Sequence, residues 1–301
     1  MSTPRIAIII NPISGSGGRP DVARQRAERA AAMLDARQVE GRVVVTERAG
    51  HARELTQAMV AQGVDTVAAW GGDGTVNEVA SALAFTSTAL AIVPSGSGNG
   101  LARELGVPLN GERALQVALD GDDRTIDAGE LDGHLFFNVA GLGLDARVAH
   151  RFSAGGTGRR GFSRYLEITC QELFSYRPTE HLIVADAVSI RSRALLIAIA
   201  NSRQYGNGAL IAPEARIDDG LLDIVVIDHR SPFMALLQVP RVFLGQVGSV
   251  KGVTMRAAKA IEITSDGPTF FHVDGEPKVG SATVAARVHP AALRVKVPAR
   301  H

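Results

Sequence analysis

The order of short apolar runs and helical patterns in the first 120 residues restricts the fold more than any other feature. Apolar runs of strand length occur at residues 6–10, 43–45, 64–69 and 90–93. Between them, apolar residues recur at helical spacing, in stripes at residues 23–34 and 76–83. Continuously apolar strands are typical of a sheet that is covered on both faces. The alternation therefore predicts an α/β domain with a doubly wound parallel sheet.

After about residue 123 the pattern changes to strand runs separated by Asp-Gly pairs, which are typical of antiparallel hairpins. These pairs lie at residues 132–133, 219–220, 266–267 and 274–275. Two helical segments are predicted within this half, at about 162–175 and 231–246. We expect an α/β domain at residues 1–125 and a mainly antiparallel β-sandwich at residues 126–301, whose last strand can return to the first domain.

The composition excludes several classes of protein. With 32 Lys and Arg against 31 Asp and Glu, the net charge of +1 gives no sign of a nucleic-acid partner. Cys170 is the single cysteine, which excludes an internal disulfide and fits a reducing cytosol. The apolar runs at 6–10 and 194–200 are far shorter than the ~20 residues of a membrane-spanning helix. We expect a cytoplasmic protein with peripheral membrane contact; the oligomeric state stays open, a homodimer included.

Three of the predicted strands end in loops rich in glycine and serine. The loops read NPISGSGG from Asn11, GGDGT from Gly71 and PSGSGNG from Pro94. Because the carboxyl ends of parallel strands meet at one edge of a sheet, backbone N–H groups of all three loops would converge there. The first 250 residues contain no lysine, so a phosphate at this edge would be bound by backbone amides, arginine or metal. The alternative is that these glycines only form tight turns.

Asp73 in the GGDGT loop has two interpretations. A carboxylate beside phosphates would repel them by about 1 kcal/mol or more unless a divalent cation lay between. This predicts a magnesium nucleotide and a catalytic role for Asp73. Alternatively, the Asp73 side chain caps the helix that follows.

The motifs together resemble a known family. NPISG (11–15), GGDGTVNEV (71–79), PSGSGN (94–99), GLGLDA (141–146), DDGLLDIVVI (218–227) and VDGE (273–276) stand in the order of the diacylglycerol kinase catalytic family. That family includes sphingosine kinases and bacterial soluble lipid kinases. GGDGT alone is less specific, since NAD kinases share it and phosphofructokinases have a similar element. The resemblance implies a first domain of the NAD kinase and phosphofructokinase type.

The resemblance also implies which residues would bind the metal and the nucleotide. A structural magnesium would be bound by Asp219 and by the carbonyls of Arg216 and Leu221. From the residues alone, Asp218 and Asp219 are more simply explained as formers of a hairpin turn. Ser97 stands where many family members have threonine, and it keeps the hydroxyl. The implied ATP contacts are Asn11, Pro12, Ile13, Ser14, Gly15, Thr46, Gly71, Gly72, Asp73, Gly74, Thr75, Val76, Asn77 and Ser97.

Glu276 is the general base that the resemblance implies, and Asp274 is the second candidate. A lipid hydroxyl must lose its proton as it attacks the γ-phosphorus, and a positioned carboxylate can accept that proton. The residues alone are also explained by a hairpin turn at Asp274-Gly275, with Glu276 as a solvated charge at a strand edge.

Three apolar or basic segments bear on the acceptor. Residues 136–146 are mostly apolar and would line a lipid pocket or form buried β core. Residues 151–165 combine four arginines with glycines, which predicts a basic loop that contacts anionic headgroups or is simply solvated. The helix at residues 233–244 is apolar on most sides, which predicts core packing. No histidine, His272 included, has the spacing of a metal ligand.

The sequence therefore predicts a lipid kinase that uses ATP and Mg²⁺. The acceptor would be the hydroxyl of a lipid substrate, either diacylglycerol-like or a sphingoid base. Two other functions stay open, a kinase of a soluble acceptor such as NAD and a non-catalytic sensor of nucleotide or lipid.

Overall fold

A computed structural model of the chain describes residues 5–15, 20–154, 162–229 and 231–299. The chain divides into two compact units. The first contains residues 1–126 and 291–301, and the second contains residues 127–290.

The first unit alternates strands and helices, as the apolar runs predict. Its elements up to residue 126 are β1 (Ile6–Ile10), α1 (Pro20–Ala36), β2 (Gly41–Val45), α2 (His51–Ala61), β3 (Thr66–Gly71), α3 (Asp73–Leu83), β4 (Ala89–Pro94), α4 (Gly100–Glu104), α5 (Gly111–Asp120) and the start of β5 (Asp122–Leu131).

The second unit is mainly β structure. After β5 it contains β6 (His134–Phe136), β7 (Val139–Gly143), α6 (Leu144–Ala154), α7 (Phe162–Ser175), β8 (His181–Ala185), β9 (Val188–Ser192), β10 (Ala194–Ala200), β11 (Gln204–Gly206), β12 (Ala209–Leu210), β13 (Leu222–Asp228), α8 (Pro232–Phe243), a 3₁₀ turn (Val247–Ser249), β14 (Val253–Ala258), β15 (Ala260–Ser265), β16 (Phe270–Val273), β17 (Glu276–Val279) and β18 (Thr283–Val297). β18 belongs to the second unit as far as Pro290 and to the first from Ala291.

The sheet of the first unit is parallel, with strand order β2-β1-β3-β4-β18. β1, β3 and β4 are buried along their whole length, which confirms strands covered on both faces. The predicted helical stripes lie in α1 and α3, where Ala30 and Leu83 are fully buried. β2 differs, because it is the edge strand and its valines are only half-buried.

The second unit is an antiparallel β-sandwich. One sheet has the order β14-β13-β10-β7-β16-β17, and the other is formed by β15, β8 and β9 with parts of β18 and β5. Side chains from both sheets, such as Leu142, Ile199 and Ile263, pack into one core cluster. The predicted fold class, an α/β domain followed by an antiparallel sandwich, is confirmed.

The Asp-Gly pairs form hairpins at only two of the four predicted places. Asp132-Gly133 and Asp274-Gly275 each have positive φ at both residues and connect paired strands, β5–β6 and β16–β17. Residues 219–220 precede β13, which pairs with β10 and β14, and residues 266–267 connect strands of different sheets. The hairpin prediction is wrong for these two pairs, because an Asp-Gly turn does not determine which strands pair.

The helical segments of the second unit lie close to their predicted places. α7 confirms the segment at 162–175, and α8 covers most of the segment at 231–246. The sequence pattern did not reveal α6, whose first residues lie in the run interpreted as β core. Within the described ranges, none of the helices has the length and hydropathy to cross a bilayer.

Candidate active site

The loops that follow β1, β3 and β4 lie side by side at the carboxyl edge of the parallel sheet. The backbone N–H of Asn11 donates to the Trp70 carbonyl at 2.9 Å, and the N–H of Ser95 donates to the Gly71 carbonyl at 2.9 Å. The hydroxyls of Ser14 and Ser95 share a hydrogen bond of 2.7 Å. The structure thus brings together the three loops that the sequence predicts to meet.

Glycine allows two of these loops to approach with their backbones. A Cβ added to Gly96 would lie 2.7 Å from the Cα of Gly72, closer than real carbon atoms pack. At Gly15, which has φ of +82°, a Cβ would lie 2.5 Å from the Ser95 carbonyl oxygen. The absence of side chains here lets the loop backbones pack closely at the sheet edge. Glycine-rich backbone of this kind is able to approach phosphate oxygens closely.

Asp73 is the first residue of α3, and its carboxylate accepts hydrogen bonds from the following loop. Its two oxygens accept from the N–H groups of Asn99 and Gly100, at 2.9 and 2.8 Å. Burial raises the pKa of Asp73 above its ordinary value, and the two N–H donors oppose that rise. The Asp73 carboxylate therefore holds the start of α4 in place. The capping interpretation predicts instead that it bonds to N–H groups of α3, the helix that Asp73 begins.

Asn11 connects the loop after β1 to α3. The Asn11 side chain donates to Thr75 Oγ1 at 2.7 Å and accepts from the Ile13 N–H at 3.0 Å. Thr75 and Asn77 are buried on α3, and Thr46 is buried at the end of β2. Ser97 and Ile13 are exposed. The other predicted ATP contacts lie in the loop after β1, at the end of β3 and just after it, and in the first turn of α3. They are Pro12, Ser14, Gly15, Gly71, Gly72, Gly74 and Val76.

Arg26 is a residue of this site that sequence reasoning missed. Its guanidinium donates to the Ser14 carbonyl and to the Ser14 hydroxyl, both at 3.2 Å. It also lies 5.8 Å from the centroid of the Trp70 ring. Burial lowers the pKa of Arg26. No local motif marks this arginine, because α1 brings it to the first loop from 12 residues further along the chain.

In the second unit, Asp274 and Glu276 lie on the β16–β17 hairpin but have different surroundings. The Asp274 carboxylate accepts backbone N–H bonds from Phe137, Asn138 and Val139 at 3.0, 3.0 and 3.1 Å. Glu276 is the first residue of β17, with 40% of its side chain exposed and one oxygen 3.6 Å from Lys278 Nζ. Asp274 thus holds the turn in place, while the Glu276 carboxylate is accessible.

A buried polar network lies beneath this hairpin. His272 Nε2 is 3.0 Å from Asp145 Oδ2, and the Tyr205 hydroxyl donates to the same oxygen. The Gly275 N–H donates to His272 Nδ1 at 3.3 Å, so the ring hydrogen lies on Nε2 and bonds to Asp145. His272 and Asp145 are buried. His272, which sequence reasoning left without a role, therefore connects the turn that precedes Glu276 to α6.

A cavity of about 340 Å³ adjoins the same hairpin. Most of its lining is apolar, and it is formed by Ala146, His150, Phe270, Phe271, Pro277, Lys278 and Val279. Phe270 and Val279 are largely exposed at its rim. Of the run 136–146 only Ala146 lines this cavity; Phe136, Phe137 and Ala140 are fully buried core.

In the predicted magnesium turn at Asp219, two backbone N–H groups donate to aspartate carboxylates. Asp219 Oδ1 accepts from the Leu221 N–H at 3.1 Å, and the Gly220 N–H donates to Asp127 at 2.7 Å. Burial, followed by the charges of Asp219 and Glu214, raises the pKa of Asp223 to about 6. No cluster of three metal-binding side chains occurs in the described part of the chain. A cation here would need backbone carbonyls such as those of Arg216 and Leu221, which hard cations accept.

The predicted basic loop at 151–165 is only partly covered by the described residues. Arg159 and Arg160 lie outside them. Arg151 lies in the last turn of α6 and bonds to Glu172 at 2.6 Å. Arg164 lies in α7 and pairs with Glu167 at 3.0 Å. At its two described ends the segment is therefore helical and ion-paired, not a free loop.

Comparison with known proteins agrees with this arrangement of motifs. Residues 5–131 match the diacylglycerol kinase catalytic domain, and residues 138–297 match the YegS C-terminal NAD kinase beta sandwich-like domain. A protein of Mycobacterium tuberculosis strain H37Rv named diacylglycerol kinase is 34% identical over 304 residues, which cover 99% of this chain and 96% of that protein. The "Probable lipid kinase YegS-like" of Pseudomonas aeruginosa PAO1 is 34% identical over 260 residues, with 85% and 84% covered.

Solved structures show the same fold. The crystal structure of a diacylglycerol kinase from Bacillus anthracis str. Sterne aligns with a TM-score of 0.73 and 20% identity, over 99% of this chain and 98% of that chain. A second structure from that organism aligns with a TM-score of 0.81 and 22% identity, and the alignment again covers 99% of this chain and 98% of the other. The predicted resemblance is confirmed: the chain belongs to the diacylglycerol kinase catalytic-domain family and is a lipid kinase with a YegS-type C-terminal domain.

Proposed function

We propose that this lipid kinase transfers the γ-phosphate of ATP to the hydroxyl of a diacylglycerol-like or sphingoid lipid, with Mg²⁺ as its metal. The observation that carries this proposal is the β16–β17 hairpin. Glu276, an accessible carboxylate, is followed on the same strand by Pro277, Lys278 and Val279, which line an apolar cavity. A potential base and a site for an acyl chain are thus neighbours on one short strand.

The three loops of the first unit would bind the nucleotide. Backbone N–H groups at glycine positions can approach phosphate oxygens closely, and the N-terminus of α3 adds a favourable dipole. Asn11 and Thr75 would fix the loops through their bond of 2.7 Å. Asp73 would offer its carboxylate to a cation on the phosphates through the lone pairs that its two backbone N–H bonds leave over. The metal would offset the negative charge that gathers on the transferred group.

The proposed step moves one proton and one phosphoryl group. The lipid hydroxyl oxygen forms a bond to the γ-phosphorus while the bond from that phosphorus to the β–γ bridging oxygen breaks, and ADP leaves. The proton of the hydroxyl passes to the Glu276 carboxylate. Asp274 is less suited to this role, since its oxygens already accept three backbone hydrogen bonds. The His272–Asp145 pair would keep the turn before Glu276 in position.

Incubation of the protein with γ-labelled ATP and separate acceptors tests the proposal. We expect labelled product in the organic phase with diacylglycerol, sphingosine or phosphatidylglycerol, and none with NAD. Label on NAD alone would replace the lipid acceptor with a soluble one. Binding of ATP without transfer to any acceptor would indicate a sensor.

Magnesium should stabilise the second unit through the turn at Asp219. In metal-free protein, Mg²⁺ at about 100 times its dissociation constant should add about 2.7 kcal/mol to the free energy of unfolding and raise Tm by several degrees. Asp219→Asn should remove this rise. Asp266→Asn, at another Asp-Gly turn of the same unit, is the matched control and should keep it. An equal rise of Tm in wild type and Asp219→Asn would show that no magnesium binds at this turn.

A further inference from the structure

We propose that one face of α8 docks the protein on an anionic bilayer surface. This face, named here the outer face of α8, consists of Phe233, Leu237, Pro240 and Leu244, the last directly after the helix. The inference rests on the proposed function in one respect, which is that the acceptor lipid lies in a bilayer. The sequence predicts core packing for this helix, and for this face that prediction is wrong.

Three large exposed apolar residues of α8 lie in one row, whereas Phe243, which is 40% exposed, lies about 80° to the side of Phe233. Phe233, Leu237 and Leu244 are 63%, 56% and 67% exposed. Pro240, between them, is also exposed. At 100° per residue, the four positions fall within an arc of about 60°. Single exposed apolar side chains are ordinary, but an aligned row of large ones is typical of a surface that contacts a partner.

The opposite side of α8 accounts for the packing of the helix. Ala235 packs against a buried cluster that includes Val148 and Ile168, from α6 and α7. Val242 packs against the cluster of Ala198, Ile211 and Val225. Ala235 and Val242 lie about 180° from the outer face on the helical wheel. The helix is therefore anchored without the outer face. Covering the apolar side chains of this face by an apolar partner would be favourable, because it removes their surface from water.

The charges around α8 favour an anionic bilayer as that partner. From His229 to Ile261 the sequence contains no Asp or Glu, but it contains the five basic residues Arg230, Arg241, Lys251, Arg256 and Lys259. Arg241 is exposed on α8, at the margin of the outer face, and Lys251 is exposed a few residues after it. A helix with apolar residues toward the bilayer and cations beside them is held both by burial of the apolar side chains and by attraction to anionic headgroups.

Vesicle binding without ATP or acceptor tests the surface independently of kinase activity. We expect wild-type protein to sediment with vesicles of phosphatidylcholine and phosphatidylglycerol, and Leu237→Glu to lower the partition coefficient by about tenfold or more. Leu109→Glu, at an exposed leucine of the first unit, is the matched control and should bind like wild type. Arg241→Ala should weaken binding about fivefold on these vesicles and leave binding to pure phosphatidylcholine unchanged.

Three results would overturn the proposal. They are failure of wild type to bind the anionic vesicles, wild-type binding by Leu237→Glu, and a wild-type dimer in light scattering that Leu237→Glu converts to monomer. The last would show that a second copy of the chain covers this face. Near-ultraviolet circular dichroism checks the fold of each variant. Leu244→Glu, beyond the last turn of α8, provides the same test should Leu237→Glu not fold.

Discussion

Replacing Glu276 by Gln is expected to lower kcat by about 10²- to 10⁴-fold, the usual contribution of a general base. Glutamine keeps the size of the side chain but cannot accept the proton of the lipid hydroxyl. ATP affinity, measured by calorimetry, should stay unchanged, because Glu276 belongs to the β16–β17 hairpin and not to the three loops of the first unit. Initial rates with labelled ATP and saturating diacylglycerol measure the effect on kcat.

Glu262→Gln is the matched control for this variant. Glu262 is an exposed glutamate on β15 of the same unit, and its replacement should leave kcat within about twofold, because exposed substitutions of this kind change little. Two results would exclude Glu276 as the base. One is a kcat near the wild-type value in Glu276→Gln, and the other is a variant whose ATP affinity falls while its kcat is unchanged.

Replacing Asp73 by Ala is expected to reduce turnover to the background of the assay. The variant loses the carboxylate proposed to bind the nucleotide's metal. It also leaves the N–H groups of Asn99 and Gly100 without their acceptor, so the free energy of unfolding should fall by about 1–3 kcal/mol. The loss of turnover is therefore accompanied by a loss of stability that comes from these two hydrogen bonds. Chemical denaturation and initial rates measure the two effects separately.

Two further variants separate the metal role of Asp73 from its structural role. Asp65 also accepts a backbone hydrogen bond, from the Arg5 N–H at 3.0 Å, but it precedes β3 at the other end of that strand. Asp65→Ala should therefore lose stability and keep turnover. Asp73→Asn retains one acceptor oxygen but not the charge, and it should stay inactive. Turnover near the wild-type level in Asp73→Asn would contradict the metal role.

The sequence predicted the first unit well because its signals are local. Strands such as β1 and β3 are mostly apolar runs. β3 ends at Gly71, and the loop after β1 reaches Gly15, where the sheet edge requires close backbone approach. Parallel pairing of such strands then brings the loops together without further information. The predicted loops at Asn11, Gly72 and Ser95 therefore meet as expected.

The sequence did not predict features that depend on contacts between distant residues. His272 and Asp145 are separated by 127 positions, and neither has a local pattern that indicates a buried pair. The outer face of α8 was misjudged for a related reason. Phe233, Leu237 and Leu244 are apolar, and apolar residues are usually buried, but only packing shows that Ala235 and Val242 already anchor the helix.

The central proposal is that backbone N–H groups of three neighbouring loops bind the nucleotide. Amide hydrogen exchange, measured with and without a non-hydrolysable ATP analogue and Mg²⁺, tests it most directly. We expect slower exchange in residues 11–15, 71–77 and 95–100, with little change at the other end of the same strands. Unchanged exchange in all three segments, while calorimetry shows that the analogue is bound, would contradict the account.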